Sequence, residues 1–145
     1  MKLSKISFWA LSLTWGLPIT LLGLITAVVL LCFGKKPYRY LYGWVFTIGD
    51  NWGGFNLGPI TVACEKTHYT TLNHEFGHSI QNCYFGPLMP FLIAIPSAIR
   101  YWYYTTMIKT GKKNSSSALY LYNQIWFEKM ATKFGNKYWR KLENA

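Results

Sequence analysis

The pentapeptide His74-Glu75-Phe76-Gly77-His78 constrains this chain more than any other segment, because its side chains can act together only on a helix. Four residues make slightly more than one helical turn, so both imidazoles leave one face, about 6 Å apart. H-E-x-x-H is a zinc-binding signature in which two ring nitrogens grip one tetrahedral ion. Glu75, rotated beside them, is placed to take a proton from a metal-bound water. The flanks agree with a helix. Leu72, Phe76, Ile80 and Cys83 form an apolar stripe, and Thr71, His74, His78 and Gln81 a polar one. Thr70, Thr71 and Asn73 offer capping oxygens, and Gly86-Pro87 a stop. Two histidines that meet by chance on a helix surface are the competing reading.

A catalytic zinc usually takes three protein ligands and a water. His68 precedes the motif in an expected loop, and no histidine follows His78. The chain has only five acidic residues, Asp50, Glu65, Glu75, Glu128 and Glu143, so each carboxylate on an apolar face stands out. Glu128 falls on a helix predicted from about Ser116 to Phe134 and closed by Gly135. Leu121, Gln124, Ile125, Glu128 and Ala131 share one side of it, and an inward carboxylate needs a positive partner. Zinc would be one; a lysine or arginine is the alternative.

At 145 residues the chain suits one compact domain. The three cysteines, Cys32, Cys64 and Cys83, have no framework spacing and read as free thiols. The formal charge of +10 suits a polyanion, but no nucleic-acid module is visible, so no nucleic-acid partner is expected. Lys109, Lys112, Lys113, Lys137, Arg140 and Lys141 suit anionic lipid headgroups instead.

No charge interrupts Phe8 to Phe33, and about 20 apolar residues cross a bilayer core. A retained transmembrane helix within residues 1–34 is expected, followed by one domain over 35–145; the run is too long for a signal-peptide core. A second apolar stretch, Tyr84–Ile108, is broken by Pro87, Pro90 and Pro96 and holds Arg100. A re-entrant or interfacial helical pair fits it, with Pro96-Ser97 as the break; a helical pair buried in the domain is the alternative. Between the two runs, Tyr40–Ile48 and Asn56–Cys64 read as strands around the turn cluster Gly49–Gly54, with Pro59 marking the second as an edge. That edge either receives an extended peptide or simply covers the core. If Glu128 joins the histidines, residues 87–108 must return to the side they entered. Lys2 and Lys5 on one flank against Lys35, Lys36 and Arg39 on the other favour, by a small margin, a cytoplasmic domain.

NLGPITV, HEFGHSIQ, GPLMPFLIAIPS and YNQIWFEKMATKFG occur in that order. Over roughly residues 54–135 the chain resembles small bacterial membrane-associated proteins with an HEYGH-type motif, similar in pattern to gluzincins. The resemblance implies a zincin-like domain in a bacterial cell membrane. It implies His74 and His78 as zinc ligands, Glu75 as catalytic base and Glu128 as third ligand. This chain departs from the pattern at Thr132, where Asn or Asp often follows the alanine.

The expectation is therefore an α+β chain: an N-terminal transmembrane helix, a short hairpin or sheet, the HExxH helix, an apolar helical pair and a Glu-bearing helix. Its expected activity is zinc-dependent hydrolysis of peptide bonds in a peptide or membrane-proximal protein substrate, with Tyr122 or Tyr120 as a second donor to the developing oxyanion. A structural zinc site closed by His68 or Cys83, and a metal-free membrane interaction or immunity protein, are the alternatives.

Overall fold

The computed structural model describes residues 3–50 and 52–143, the last three by backbone alone. Lys2, Asn51 and the side chains of Lys141 and Glu143, which entered the readings above, lie outside the described residues. The chain is α+β, with six α-helices and a four-stranded sheet among the described residues.

The charge-free N-terminal run is two helices, α1 (Lys5–Leu13) and α2 (Leu17–Cys32), bent by 94°. This corrects the expectation of one continuous helix over 1–34. Pro18 has no N–H to give the Thr14 carbonyl, and its ring would strike that carbonyl in a continuous helix; in the first turn of α2 it does no harm. Gly16 at the bend lies against Asn82, whose Nδ2 donates to the Gly16 carbonyl at 3.1 Å and to Thr20 Oγ1 at 3.2 Å. Among the described residues no single helix is long and apolar enough to cross a membrane; two bent pairs pass by length and composition together.

The sheet comprises β1 (Tyr38–Tyr40), β2 (Gly43–Thr47), β3 (Gly54–Leu57) and β4 (Ile60–Ala63), in the order β1-β2-β4-β3. β2 and β4 run parallel, Trp44 opposite Ile60; the outer pairs are antiparallel. The stretch read as a single edge strand, Asn56–Cys64, is thus a hairpin. Gly58, at φ +66°, and Pro59 make its turn, so the missing proline N–H falls outside the strands while the Pro59 carbonyl accepts from the Trp44 N–H at 2.9 Å, and β4 becomes a central strand. All four β4 residues are buried because both faces are covered. Ile60 packs with Phe46 and Ala27 of α2; Ala63 packs with Val45 and with Leu72 of the next helix.

That helix, α3 (Tyr69–Phe85), buries the predicted stripe of Leu72, Phe76, Ile80 and Cys83. The chain then folds back through a 3₁₀ turn, Gly86–Leu88, and a π turn, Pro90–Ala94, into α4 (Ile95–Lys109). The bend is 116° and falls at Leu88–Pro90; this corrects the helical pair expected to break at Pro96, because Pro90–Lys109 runs on through Pro96 as one segment. Gly86, at φ +52°, caps the end of α3 just before it and lies against the Trp15 ring. Pro96 falls in the first turn of α4, where the π turn before it leaves room for its ring.

The predicted helix 116–134 is also two: α5 (Ser115–Asn123), capped by Asn114, and α6 (Trp126–Glu143). Gly135 does not end α6. It lies against the Asn73 backbone, as Gly77 lies against that of Ala131; a Cβ at either would collide with the facing carbonyl. The pairing of 73 with 135 and 77 with 131 sets α3 and α6 antiparallel at close approach. Beyond them Phe8, Phe76, Ile80, Cys83 and Tyr138 form a common cluster, with the Leu3 N–H on Tyr138 Oη at 2.9 Å.

Candidate metal centre

The close α3–α6 contact brings Glu128 onto the histidine face. Glu128 Oε2 lies 3.0 Å from His74 Nε2 and 3.3 Å from His78 Nε2. The three donor atoms all fall within 4.8 Å of one another. Glu128 is fully buried, His78 is buried and His74 is partly exposed. Two ligands held about 2.0–2.1 Å from one tetrahedral zinc would be about 3.3 Å apart; the two carboxylate–imidazole separations are of that size, and the three donors are close enough to hold a metal ion.

The hydrogen bonds behind the rings sharpen the fit. Gln81 Nε2 donates to the Phe127 carbonyl at 2.7 Å, which leaves Gln81 Oε1 to face His78 Nδ1 at 2.7 Å. Being an acceptor, that oxygen requires a proton on Nδ1. Thr132 Oγ1 donates to the Glu128 carbonyl at 3.2 Å and faces His74 Nδ1 at 2.8 Å, so it too receives an N–H. In the neutral rings both Nε2 lone pairs then point at a carboxylate oxygen. Three acceptors converging on one point call for a cation between them: a metal ion or a proton.

The other carboxylate oxygen is held from the far side. Ser97 of α4 and Tyr122 of α5 lie 2.6 and 2.8 Å from Glu128 Oε1, and 2.6 Å from each other. In a continuous helix residues 122 and 128 would be about 120° apart around the axis, so the break before Trp126 is what lets Tyr122 reach back. Among the described residues no lysine or arginine pairs with Glu128, which sets aside the salt-bridge alternative.

The titrations follow from this packing. Burial pushes Glu128 up, but the hydrogen bonds that His74 and His78 donate when a second proton sits on Nε2, and the charge of His78 in that form, outweigh it, and its pKa falls well below the usual carboxylate range. Burial pushes His78 down, yet Glu128 and Glu75 win and its pKa is raised. Burial raises the Glu75 carboxyl, the two histidines draw it back, and Glu128 adds to the rise. Burial, then the Glu128 charge, raises the Tyr122 phenol, so it remains a donor.

The structure thus brings together His74, His78 and Glu128, with Glu75 buried beside them and Tyr122 on the carboxylate. Tyr120 is exposed; His68 is the exposed N-cap of α3; Cys83 sits in the core near Ser12 and the Phe8 carbonyl. Three contributors escaped the sequence reading. Gln81 lay on the polar stripe without a role. Thr132, where the chain departs from the pattern it resembles, lies on His74 Nδ1. Ser97 is the lone hydroxyl between Gly86 and Ile99, and a lone polar residue in an apolar run was the signal that could have found it. No protein-family model, curated protein or solved structure matches the chain. The functional reading therefore rests on this geometry.

Proposed function

We propose that the protein is a zinc-dependent peptide hydrolase whose metal is held by His74, His78 and Glu128. The observation that carries the reading is the convergence of two fixed Nε2 lone pairs and a buried carboxylate oxygen on one point, with a second buried carboxyl, Glu75, at its side. A zinc ion bound there would polarise a carbonyl and make a bound water acidic.

The remaining work falls to the chain's own groups. Glu75 accepts the water's proton and returns it to the leaving nitrogen; the raised pKa given by its burial brings it closer to the working range of such a base. Gln81 and Thr132 fix the imidazole orientations; Ser97 and Tyr122 fix the carboxylate. Tyr122 is thus better placed to orient Glu128 than to meet an oxyanion. The edge strand β3 passes Glu75, with Gly54 against the Glu75 side chain. An extended peptide laid along that edge would carry its carbonyl towards the site.

The set of three ligands favours catalysis over a closed structural site: among the described residues His68 and Cys83 take no part, and a tetrahedral zinc with three protein ligands would take water as its fourth. Purified wild-type chain should hold close to one equivalent of zinc, and His74→Ala should hold little. Glu75→Gln should keep the zinc and lower hydrolysis of a fluorogenic peptide library by about 10²–10⁴-fold. Zinc retention with undiminished turnover in Glu75→Gln would remove the base; no zinc in wild type would leave the metal-free interaction protein.

A further inference from the structure

We propose that α2 and α4 lie flat in one leaflet of an anionic bilayer, so that neither apolar segment crosses it. The surface needs no metal, and the proposal stands or falls separately from the hydrolase reading.

The outer face of α2 is an unbroken apolar stripe. Leu17, Leu21, Leu22, Ile25, Val28 and Val29 are all exposed, Val28 at 59%. The face of α4 and the turn before it continues the theme with Phe91, Leu92, Ile95, Ile99 and Trp102, the last 69% exposed. The two segments start from one point, where Ile19 packs on Met89 and Ile93. Water is a poor solvent for so much apolar area.

The inner face of α2 decides how it meets lipid. Thr20, Gly23 and Ala27 are buried, Gly23 packing on the Leu57 carbonyl of β3 and Ala27 on Phe46 and Ile60 of the sheet. The sheet therefore lies alongside α2 for most of its length. Driving α2 through a bilayer would drag strand edges into hydrocarbon, where unpaired backbone groups are not tolerated. Sixteen residues also span only about 24 Å of a core about 30 Å thick. Flat on the surface, α2 exposes its apolar stripe to acyl chains and keeps the sheet out.

Charge selects lipid over a second copy of the chain. Each apolar helix ends in cations: Lys36 follows α2, beside Lys35, which pairs with Glu65 at 3.6 Å, and Lys109, Lys112 and Lys113 close α4. Two chains of +10 repel; an anionic leaflet attracts both. Tyr101, Trp102 and Tyr103 suit the interfacial depth. Because Ser97 of α4 bonds Glu128, this orientation sets the metal centre beside the lipid boundary.

The test is flotation of the full chain with vesicles of phosphatidylglycerol and phosphatidylethanolamine against vesicles of phosphatidylcholine, joined to a depth measurement. Binding should be stronger on the anionic vesicles by about tenfold or more at low salt. The pairs Leu21→Glu with Ile25→Glu, and Ile99→Glu with Trp102→Glu, change exposed residues only and should each lower partitioning about tenfold or more. Nitroxides placed singly at Leu21→Cys, Ile25→Cys and Val28→Cys, in a chain carrying Cys32→Ser, should sit at one shallow depth. A crossing helix would spread them over about 10 Å. Such a spread, indifference to the Glu pairs, equal binding to both lipids, or a vesicle-free oligomer that buries these faces would each overturn the proposal.

Discussion

Gln81 has one orientation open to it. Its amide nitrogen is committed to the Phe127 carbonyl, so its oxygen meets His78 Nδ1 and fixes which nitrogen of that ring is bare. Thr132 imposes the same choice on His74 through the Glu128 carbonyl. Gln81→Leu and Thr132→Val should each weaken zinc binding about 10–100-fold in a chelator-competition titration. The pH dependence has a definite sign. Glu128 and Glu75 raise the His78 pKa in the metal-free protein, so zinc must displace a proton held to higher pH than a free imidazole holds it. Affinity should be full at high pH and should begin to fall while pH is still above the ordinary histidine value of about 6.5. A fall that begins only below that value would contradict the His78–Glu128 contact. At this scale the sequence was most legible where spacing forces geometry, as in His74 and His78, and where chemistry is scarce, as in Glu128. Thr132 and Gln81 were less so. Their roles depend on which of their atoms is already engaged by a backbone group of α6, and no local pattern reports that.

Helices α3 and α6 approach so closely because glycine stands at both crossing points, Gly77 under Ala131 and Gly135 under Asn73. In an isolated helix Gly→Ala stabilises by about 1 kcal/mol. Here the added methyl meets backbone that cannot turn aside, and overpacking costs about 1–3 kcal/mol. Gly77→Ala and Gly135→Ala should therefore lower the melting temperature by several degrees and weaken zinc binding with it, since separating the helices draws Glu128 from the histidines. A rise in melting temperature, as propensity alone predicts, would mean that the contact is looser than described. Reading Gly135 as a helix stop follows from the same residue's two uses, end signal and close-packing surface; only the partner helix distinguishes them. The α5–α6 break was illegible for another reason. Tyr122-Asn123-Gln124-Ile125 holds no glycine or proline, and the turn is set by where Ile125 packs, near Ile19, Met89 and Ile93. Gly58-Pro59, by contrast, carried a turn signal that the edge-strand reading of Asn56–Cys64 overrode.

Across the whole molecule, the candidate metal centre is the point where distant segments meet: His74 and Glu128 are 54 residues apart, and Ser97 and Tyr122 come from the chain between them. That residues 87–108 bring the chain back to the histidines was legible once Glu128 was taken to join them, because a carboxylate shared by both rings leaves no other topology. The layering of α2, sheet, α3 and α6 was not, since it depends on strand order. This closure has a thermodynamic consequence. A metal that binds only the folded chain stabilises it by about 2.7 kcal/mol at a hundredfold excess over Kd. For a chain of this length that is about 5–10 °C in melting temperature. Wild type and Glu75→Gln should show the full shift on adding zinc, because Glu75 is no ligand. His74→Ala and Glu128→Gln should show little, the first having lost a nitrogen and the second an anionic oxygen. The order matters more than the size. A shift that survives in His74→Ala would mean that zinc binds elsewhere, whereas one lost in Glu75→Gln would make that carboxylate a ligand and leave the proposed hydrolysis without its base.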